Sequence, residues 1–166
     1  MPGQQRELTL RFLAEPQDVN FGGKVHGGAV MKWIDQAGYA CAAGWSGAYC
    51  VTVYVGGIQF ERPVQIGQLV EVRAAIVHTG RTSMHVAVGV SARDTTAGEQ
   101  QRTTHCLMVF VAVDEDRKPV AVPAYVPQTD VDRELANYAQ KMAKMRADLD
   151  AELQSLLSSA ALTRVG

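Results

Sequence analysis

The most apolar stretch of this chain, residues 25–43, is typical of a single helix opened by a glycine pair. A helix that is apolar almost all round is normally buried. Asp35 lies within it, and a buried carboxylate is costly unless it is paired or takes part in function. The pattern predicts a buried helix over about 27–43, ended by Gly44 and Gly47, which suit the left-handed conformation of helix ends.

Alternating apolar and polar residues before and after this helix predict five strands. In the second strand, Val51, Val53 and Val55 are expected on one face, and the pair Gly56 and Gly57 indicates a bulge. The connections between the last three strands are short and contain glycine, so these strands are expected to be antiparallel neighbours. The predicted strands span residues 7–13, 50–60, 69–77, 82–92 and 102–113.

A second helix is predicted over about 130–158, after an extended linker that contains three prolines. Its apolar residues advance in steps of three and four, so one face is expected to pack on the domain or on a partner subunit. Residues 129–132 resemble a capping box at its start. We therefore divide the chain into a domain over 1–128 and a C-terminal amphipathic helix with its tail over 129–166.

These elements predict an α+β fold in which one antiparallel sheet wraps around one long helix, with a further helix appended. The 166 residues are enough for one hydrophobic core. A net charge of -1 gives no field that would attract nucleic acid or an anionic membrane, and no apolar run is long enough to span a bilayer. The three cysteines include no CxxC pair, which favours reduced thiols in the cytoplasm over a disulfide or zinc site.

Asp35 has two interpretations. It is either an exposed carboxylate paired with Lys32, its neighbour on the helix, or a partly desolvated carboxylate that acts as a general base or nucleophile. Desolvation would strengthen such a group as a base.

The glycine pair, Gly27 and Gly28, is the second candidate feature. Free backbone N–H groups at a helix start, together with the helix dipole, suit a developing oxyanion. The pair also fits a tight turn without a catalytic role. His26 directly precedes the helix, and we expect it to position substrate or cap the backbone rather than act as a base, since Asp35 already offers that chemistry.

A third candidate is the turn Gly80, Arg81, Thr82 and Ser83. A hairpin turn needs no function, but an arginine beside small hydroxyl residues also suits a phosphate-bearing ligand. The chain has no P-loop, dinucleotide-binding glycine motif, nucleophile elbow or HExxH zinc motif.

A set of short motifs is spread over roughly residues 7–128. They are Val-His-Gly-Gly at 25–28, Met-Lys-Trp-Ile-Asp-Gln-Ala-Gly at 31–38, Val-Thr-Val at 51–53, Ile-Gln-Phe at 58–60, Gly-Arg-Thr-Ser-Met at 80–84, Phe-Val-Ala-Val at 110–113, and Val-Pro at 122–123 and 126–127. In this combination the chain resembles the hot-dog-fold acyl-CoA thioesterases. It is most similar to the brain-type cytosolic acyl-CoA hydrolase and its short, single-domain bacterial relatives.

The resemblance implies a five- to six-stranded antiparallel sheet wrapped around the helix. It implies homodimers whose sheets join edge to edge, with active sites at the subunit interface, and trimers of such dimers are common in the family. It also implies hydrolysis of acyl-CoA to free acid and CoA, without a metal and with no cofactor beyond the CoA of the substrate.

The resemblance also assigns roles to residues of this chain. The catalytic aspartate of the family falls on Asp35, and the family's CoA-contacting turn falls on residues 80–83. The family's glycine-rich turn falls on His26, Gly27 and Gly28, where backbone N–H groups would polarise the thioester carbonyl. Some relatives place a catalytic asparagine directly before this turn.

In this chain the position of that asparagine is held by Lys24, and Asn20 lies nearby at a different offset. Asn20 is therefore grouped with the expected substrate-binding residues. A site that combines Asp35 of one subunit with the loop of the other remains open.

The expected reaction has two routes, which the sequence does not separate. With the thioester carbonyl held by the N–H of Gly27 or Gly28, Asp35 either activates a water or attacks directly to give a mixed anhydride. One alternative is a hot-dog dehydratase or hydratase, which would use His26 together with Asp35. The other is an acyl-CoA binding or sensor subunit, although a sensor would need a DNA-binding module and no helix-turn-helix segment precedes the domain.

Overall fold

A computed structural model describes residues 5–96 and 98–158 of the chain. These residues form two compact units, the first ending at Val126 and the second beginning at Pro127. None of the helices within them is both long and apolar enough to cross a membrane. Besides a short 3₁₀ turn (Pro16–Asp18), the elements are β1 (Glu7–Leu13), α1 (Gly27–Ser46), β2 (Tyr49–Phe60), β3 (Leu69–Thr79), β4 (Ser83–Arg93), β5 (Gln101–Val113) and α2 (Asp130–Ser158).

The strands form one antiparallel sheet in the order β1-β3-β4-β5-β2. Short turns connect β3 to β4 and β4 to β5, while α1 carries the chain from one edge strand to the other. On this path α1 packs against all five strands. The predicted α+β fold, a sheet around one long helix with an appended C-terminal helix, is confirmed.

The core lies between α1 and the face of the sheet that it covers. Large side chains such as Ile34 and Phe110 are completely enclosed there, and their burial supplies the hydrophobic free energy that stabilises the domain. The buried residues of α1 are Val30, Trp33, Ile34, Ala37, Gly38, Cys41, Ala42 and Trp45.

The opposite face of α1 is exposed in the single chain, although the sequence predicts a buried helix that the sheet covers on several sides. Met31, Lys32, Asp35, Gln36 and Tyr39 all lie on this face. The sheet has five strands and covers only one side of the helix. Two large residues on this face remain substantially exposed, Met31 at 48% and Tyr39 at 37%.

The second strand, β2, contains two register irregularities, one between Thr52 and Tyr54 and the other at the glycine pair. The bulge expected at Gly56 is therefore confirmed. Val51 pairs with Val111 and Val55 pairs with Met108, so these two valines lie on opposite faces of the sheet. The prediction that they share one face is wrong, because the first irregularity adds a residue and inverts the alternation.

The ends of the helices follow local rules of capping. Gly47 ends α1 in the left-handed conformation, with φ of 68°, and its N–H donates to Ala43 O at 2.8 Å. Gly44 lies inside the helix instead of ending it. At α2, Asp132 N donates to Thr129 Oγ1 at 3.1 Å and Thr129 N donates to the Asp132 carboxylate at 3.0 Å, which confirms the capping box.

We expect Gly38→Val to lower the free energy of unfolding by about 1–3 kcal/mol, the usual cost of overpacking a core. A Cβ at Gly38 would stand 2.9 Å from the ring of Phe110 and 3.0 Å from the sulfur of Met108. Urea denaturation measures the change. Gly89→Ala is the matched control, because a Cβ at Gly89 meets no atom within 4 Å. Equal stability of Gly38→Val and the parent would contradict this account of the core.

Candidate functional site

Asp35 lies on the exposed face of α1, beside the edge strand β2. The Thr52 hydroxyl donates a hydrogen bond to Asp35 Oδ1 at 2.8 Å. Both residues are exposed in the single chain. Thr52 was not among the residues singled out from the sequence, because it follows Asp35 by 17 positions and meets it only through the packing of β2 on α1.

Lys32 is not the partner of Asp35. Within residues 5–96 and 98–158, no ion pair joins the Lys32 ammonium to this carboxylate. The interpretation of Asp35 as one half of a surface ion pair with Lys32 is therefore not supported. Its hydrogen-bond partner is a neutral hydroxyl, which holds the carboxylate without cancelling its charge.

Three contacts between α1 and β2 define an exposed strip, which we call the α1/β2 strip. At one end a Cβ placed on Gly27 would lie 3.8 Å from the Phe60 ring. Asp35 and Thr52 are in the middle, and Tyr39 and Tyr49 form a ring pair at the other end, with centroids 6.0 Å apart. Helix and strand thus run antiparallel along the strip.

The start of α1 holds the second group of candidate residues. The Gly28 N–H donates to His26 Nδ1 at 2.9 Å, so His26 caps the helix. This bond uses the Gly28 N–H, one of the two N–H groups that the sequence suggests for stabilising an oxyanion. The Gly27 N–H has no hydrogen-bond partner among the described residues and is the available donor of the pair.

Asn20 and Gly27 line one cavity of about 260 Å³, together with Lys24, Phe60 and Arg62. Asn20 Oδ1 accepts hydrogen bonds from Gly22 N at 2.8 Å and from Lys24 N at 3.1 Å, which fixes the loop before α1. The Lys24 ammonium donates to a neutral group, the Gln65 carboxamide, at 3.1 Å. The structure therefore brings two of the predicted site residues, Asn20 and Gly27, to one cavity.

Asp35 does not line this cavity. It follows Gly27 by eight residues in one continuous helix, which corresponds to about 12 Å along the axis. An oxyanion donor and a base must both lie about 3 Å from the reacting atoms. The two groups of a single chain therefore do not converge on one carbonyl.

The turn Gly80, Arg81, Thr82 and Ser83 joins β3 to β4 and is fixed by its backbone. Gly80 N donates to Ser83 O at 2.9 Å, and the carbonyls of Arg81 and Thr82 accept from Val122 N and Ala112 N. In the described part of the chain the exposed Arg81 guanidinium has no carboxylate partner. No hydrogen bond connects this turn to Asp35 among these residues, and its role in substrate binding stays a prediction.

A model of the thioesterase superfamily matches residues 22–99. The acyl-CoA thioester hydrolase YciA of Salmonella typhimurium is 37% identical over 122 residues, which cover 72% of this chain and 92% of the relative.

Two solved structures share the fold over most of their length. A hexameric acyl-CoA thioesterase in the apo state aligns with a TM-score of 0.81 and 31% identity, over 89% of this chain and 96% of the other. The acyl-CoA hydrolase of Staphylococcus aureus, in complex with butyryl-CoA and CoA, aligns with a TM-score of 0.84 and 25% identity, over 93% and 94% of the two chains. On its fold and on these relatives, the chain belongs to the hot-dog acyl-CoA thioester hydrolases of the thioesterase superfamily.

Proposed function

We propose that this acyl-CoA thioester hydrolase splits its substrate into free acid and CoA at a site built by two subunits. Asp35 and Thr52 come from one chain, and the Gly27 N–H comes from the partner. The observation that carries this proposal is the separation of about 12 Å between Asp35 and Gly27 along α1. Asp35 and Gly27 are both exposed in the single chain, but neither lies within reach of the other.

The chemistry follows from these groups. The Gly27 N–H, at the positive end of the helix dipole, donates to the thioester oxygen and stabilises the negative charge that develops on it. Asp35 either takes a proton from a water that adds to the carbonyl carbon or adds to that carbon itself. The C–S bond then breaks, and CoA leaves as a thiolate that is protonated. In the direct route, water subsequently cleaves the mixed anhydride and regenerates Asp35.

Thr52 positions the Asp35 carboxylate by donating to Oδ1, so that Oδ2 is the oxygen directed to water or substrate. His26 has a second supporting role. Since its Nδ1 accepts from Gly28 N–H, the neutral ring carries its proton on Nε2 and can donate to substrate from there. We keep Asn20 as a substrate-binding residue because it shares a cavity with Gly27.

We also propose that residues 80–83 bind the phosphate groups of CoA. The Arg81 guanidinium is exposed and has no carboxylate partner in the described part of the chain, so it can pair with phosphate. No step of this mechanism is assigned to a metal ion or to a cofactor other than CoA itself.

A second copy of the chain is the proposed partner, with β2 as the contact edge. β2 is an edge strand of 12 residues, on which Val53 is 42% exposed and Val55 40% exposed. Long apolar edge strands pair with further strands. Antiparallel pairing of β2 with its copy gives a closed dimer. We propose this homodimer as the minimal active unit and a trimer of dimers as the full assembly, in line with the hexameric relative.

We place the enzyme in the cytoplasm. Cys41, Cys50 and Cys106 are all free and buried, as expected for reduced thiols. Burial raises the pKa of the Cys41 and Cys106 thiols to about 12, so neither supplies a thiolate nucleophile near neutral pH.

The dehydratase alternative would use His26 together with Asp35, and no observation favours it specifically. The relatives reported above are acyl-CoA thioester hydrolases, which supports hydrolysis instead.

Release of CoA from a panel of acyl-CoA substrates, followed with a thiol reagent, tests the function directly. The purified full chain should release CoA and free acid in equal amounts, at the same rate with and without EDTA. Hydration of an enoyl-CoA without CoA release would favour the dehydratase, and stoichiometric binding without turnover would favour a sensor. Inhibition by EDTA would overturn the metal-free mechanism.

Thr52→Val is expected to lower kcat by about 10- to 100-fold, since a hydrogen bond to a charged group contributes about 1.5–3 kcal/mol. Thr52→Ser keeps the hydroxyl that donates to Asp35 and is expected to retain most of the activity. Steady-state kinetics with one good acyl-CoA substrate separates kcat from KM. A loss of equal size in both variants would show that the Thr52 methyl group, and not the hydrogen bond, is what the site needs.

A further inference from the structure

The aromatic end of the α1/β2 strip is not used by the mechanism. Tyr39 and Tyr49 are 37% and 59% exposed, and their ring centroids are 6.0 Å apart. They form a tilted pair across the space between helix and strand. Two large apolar rings held against each other at an exposed position form a wall of fixed shape.

This wall is close to the proposed reaction centre. Tyr39 follows Asp35 by four residues and therefore lies on the same face of α1, about 6 Å further along the axis. On the strand side, Tyr49 is the first residue of β2, three residues before Thr52. Its side chain does not share the face of Thr52, but its ring meets the Tyr39 ring at this end of the strip.

The charges along α1 favour one direction for the acyl group. Lys32, on the side of Asp35 towards the helix start, is exposed, charged and free of carboxylate partners in the described part of the chain. On the other side, the exposed residues of the helix are Gln36, Tyr39 and Ala40, which are neutral. An apolar acyl chain is stabilised on the neutral, aromatic side, while the polar, anionic CoA moiety is favoured near the cation.

We infer that the Tyr39–Tyr49 pair ends the acyl-binding groove and restricts this enzyme to short acyl chains. A groove about 6 Å long holds only a few carbon atoms beyond the thioester carbonyl. The inference rests on the proposed function, because it takes Asp35 as the point where the thioester is held.

The test is the ratio of kcat/KM for octanoyl-CoA to kcat/KM for butyryl-CoA. The parent enzyme should prefer butyryl-CoA. Tyr39→Ala should raise the ratio by at least about 10-fold. Octanoyl-CoA has four more methylenes than butyryl-CoA, and burying only two of them, at about 0.8 kcal/mol each, corresponds to roughly 15-fold. Tyr49→Ala removes the ring that the strand contributes to the same pair and should shift the ratio in the same direction.

Two control variants isolate the effect of the ring. Tyr39→Phe keeps the wall and should keep the parent ratio. Leu13→Ala, which shortens an exposed apolar side chain on the opposite edge strand β1, should also keep it. Size-exclusion chromatography with light scattering shows whether any variant alters assembly. An unchanged ratio in both alanine variants, or a parent enzyme that already prefers long chains, would overturn the inference. Absence of CoA release from every substrate by the parent would instead refute the proposed function.

Discussion

Asp35→Asn is expected to lower kcat for acyl-CoA hydrolysis by about 10²–10⁴-fold, the range that a positioned base contributes. The carboxamide keeps the size of the side chain and can still accept from the Thr52 hydroxyl, but it cannot take a proton from water or add to the carbonyl carbon. Because Asp35 is exposed in the single chain and lies on the uncovered face of α1, the substitution leaves the core unchanged. The loss should therefore appear in kcat with little change in thermal stability.

Asp35→Ala gives a second, independent measurement. It removes the carboxylate and its bond to Thr52 together, and it should be at least as inactive as Asp35→Asn. Gln36→Ala, the next exposed residue of the same helix, is the matched control and should retain the parent kcat. If both Asp35 variants are folded and hydrolyse acyl-CoA at the parent rate, the assignment of Asp35 is wrong.

Most of the fold could be predicted because its rules are local. The first strand and α2 have the predicted bounds, and the other strands differ by at most two residues at an end. The Thr129 capping box and the Gly47 terminus depend on neighbours within four residues, which the sequence places side by side.

What the sequence could not show depends on contacts between distant elements. The bond between Thr52 and Asp35 requires β2 to lie beside α1, and the irregularity after Thr52 changes which residues of β2 face the helix. The exposed face of α1 is a further example. Its apolar residues resemble core residues in the sequence, because composition alone does not show which face of a helix the rest of the chain covers.

The proposed division of the site between two chains has a physical basis in the shape of α1. A continuous helix fixes the spacing of Asp35 and Gly27 at about 12 Å, and no side-chain rotation of Asp35 closes that gap. In the proposed dimer, a two-fold axis between antiparallel copies of the helix would bring the Asp35 of each chain towards the Gly27 of the partner subunit. Such a dimer would contain two equivalent sites, each built by both chains.

Mixing two inactive variants should therefore restore activity. Asp35→Ala removes the base, and Gly27→Val places a branched side chain beside the N–H donor, where a Cβ makes an ordinary contact with the Phe60 ring. A mixed dimer has one site with both groups intact and one site with neither. After subunit exchange about half of the dimers are mixed, so the activity should return to about one quarter of the parent value. Exchange between Asp35→Ala and Asp35→Asn restores no site and is the control. If Asp35 and Gly27 acted within one chain, the first mixture would stay as inactive as its components.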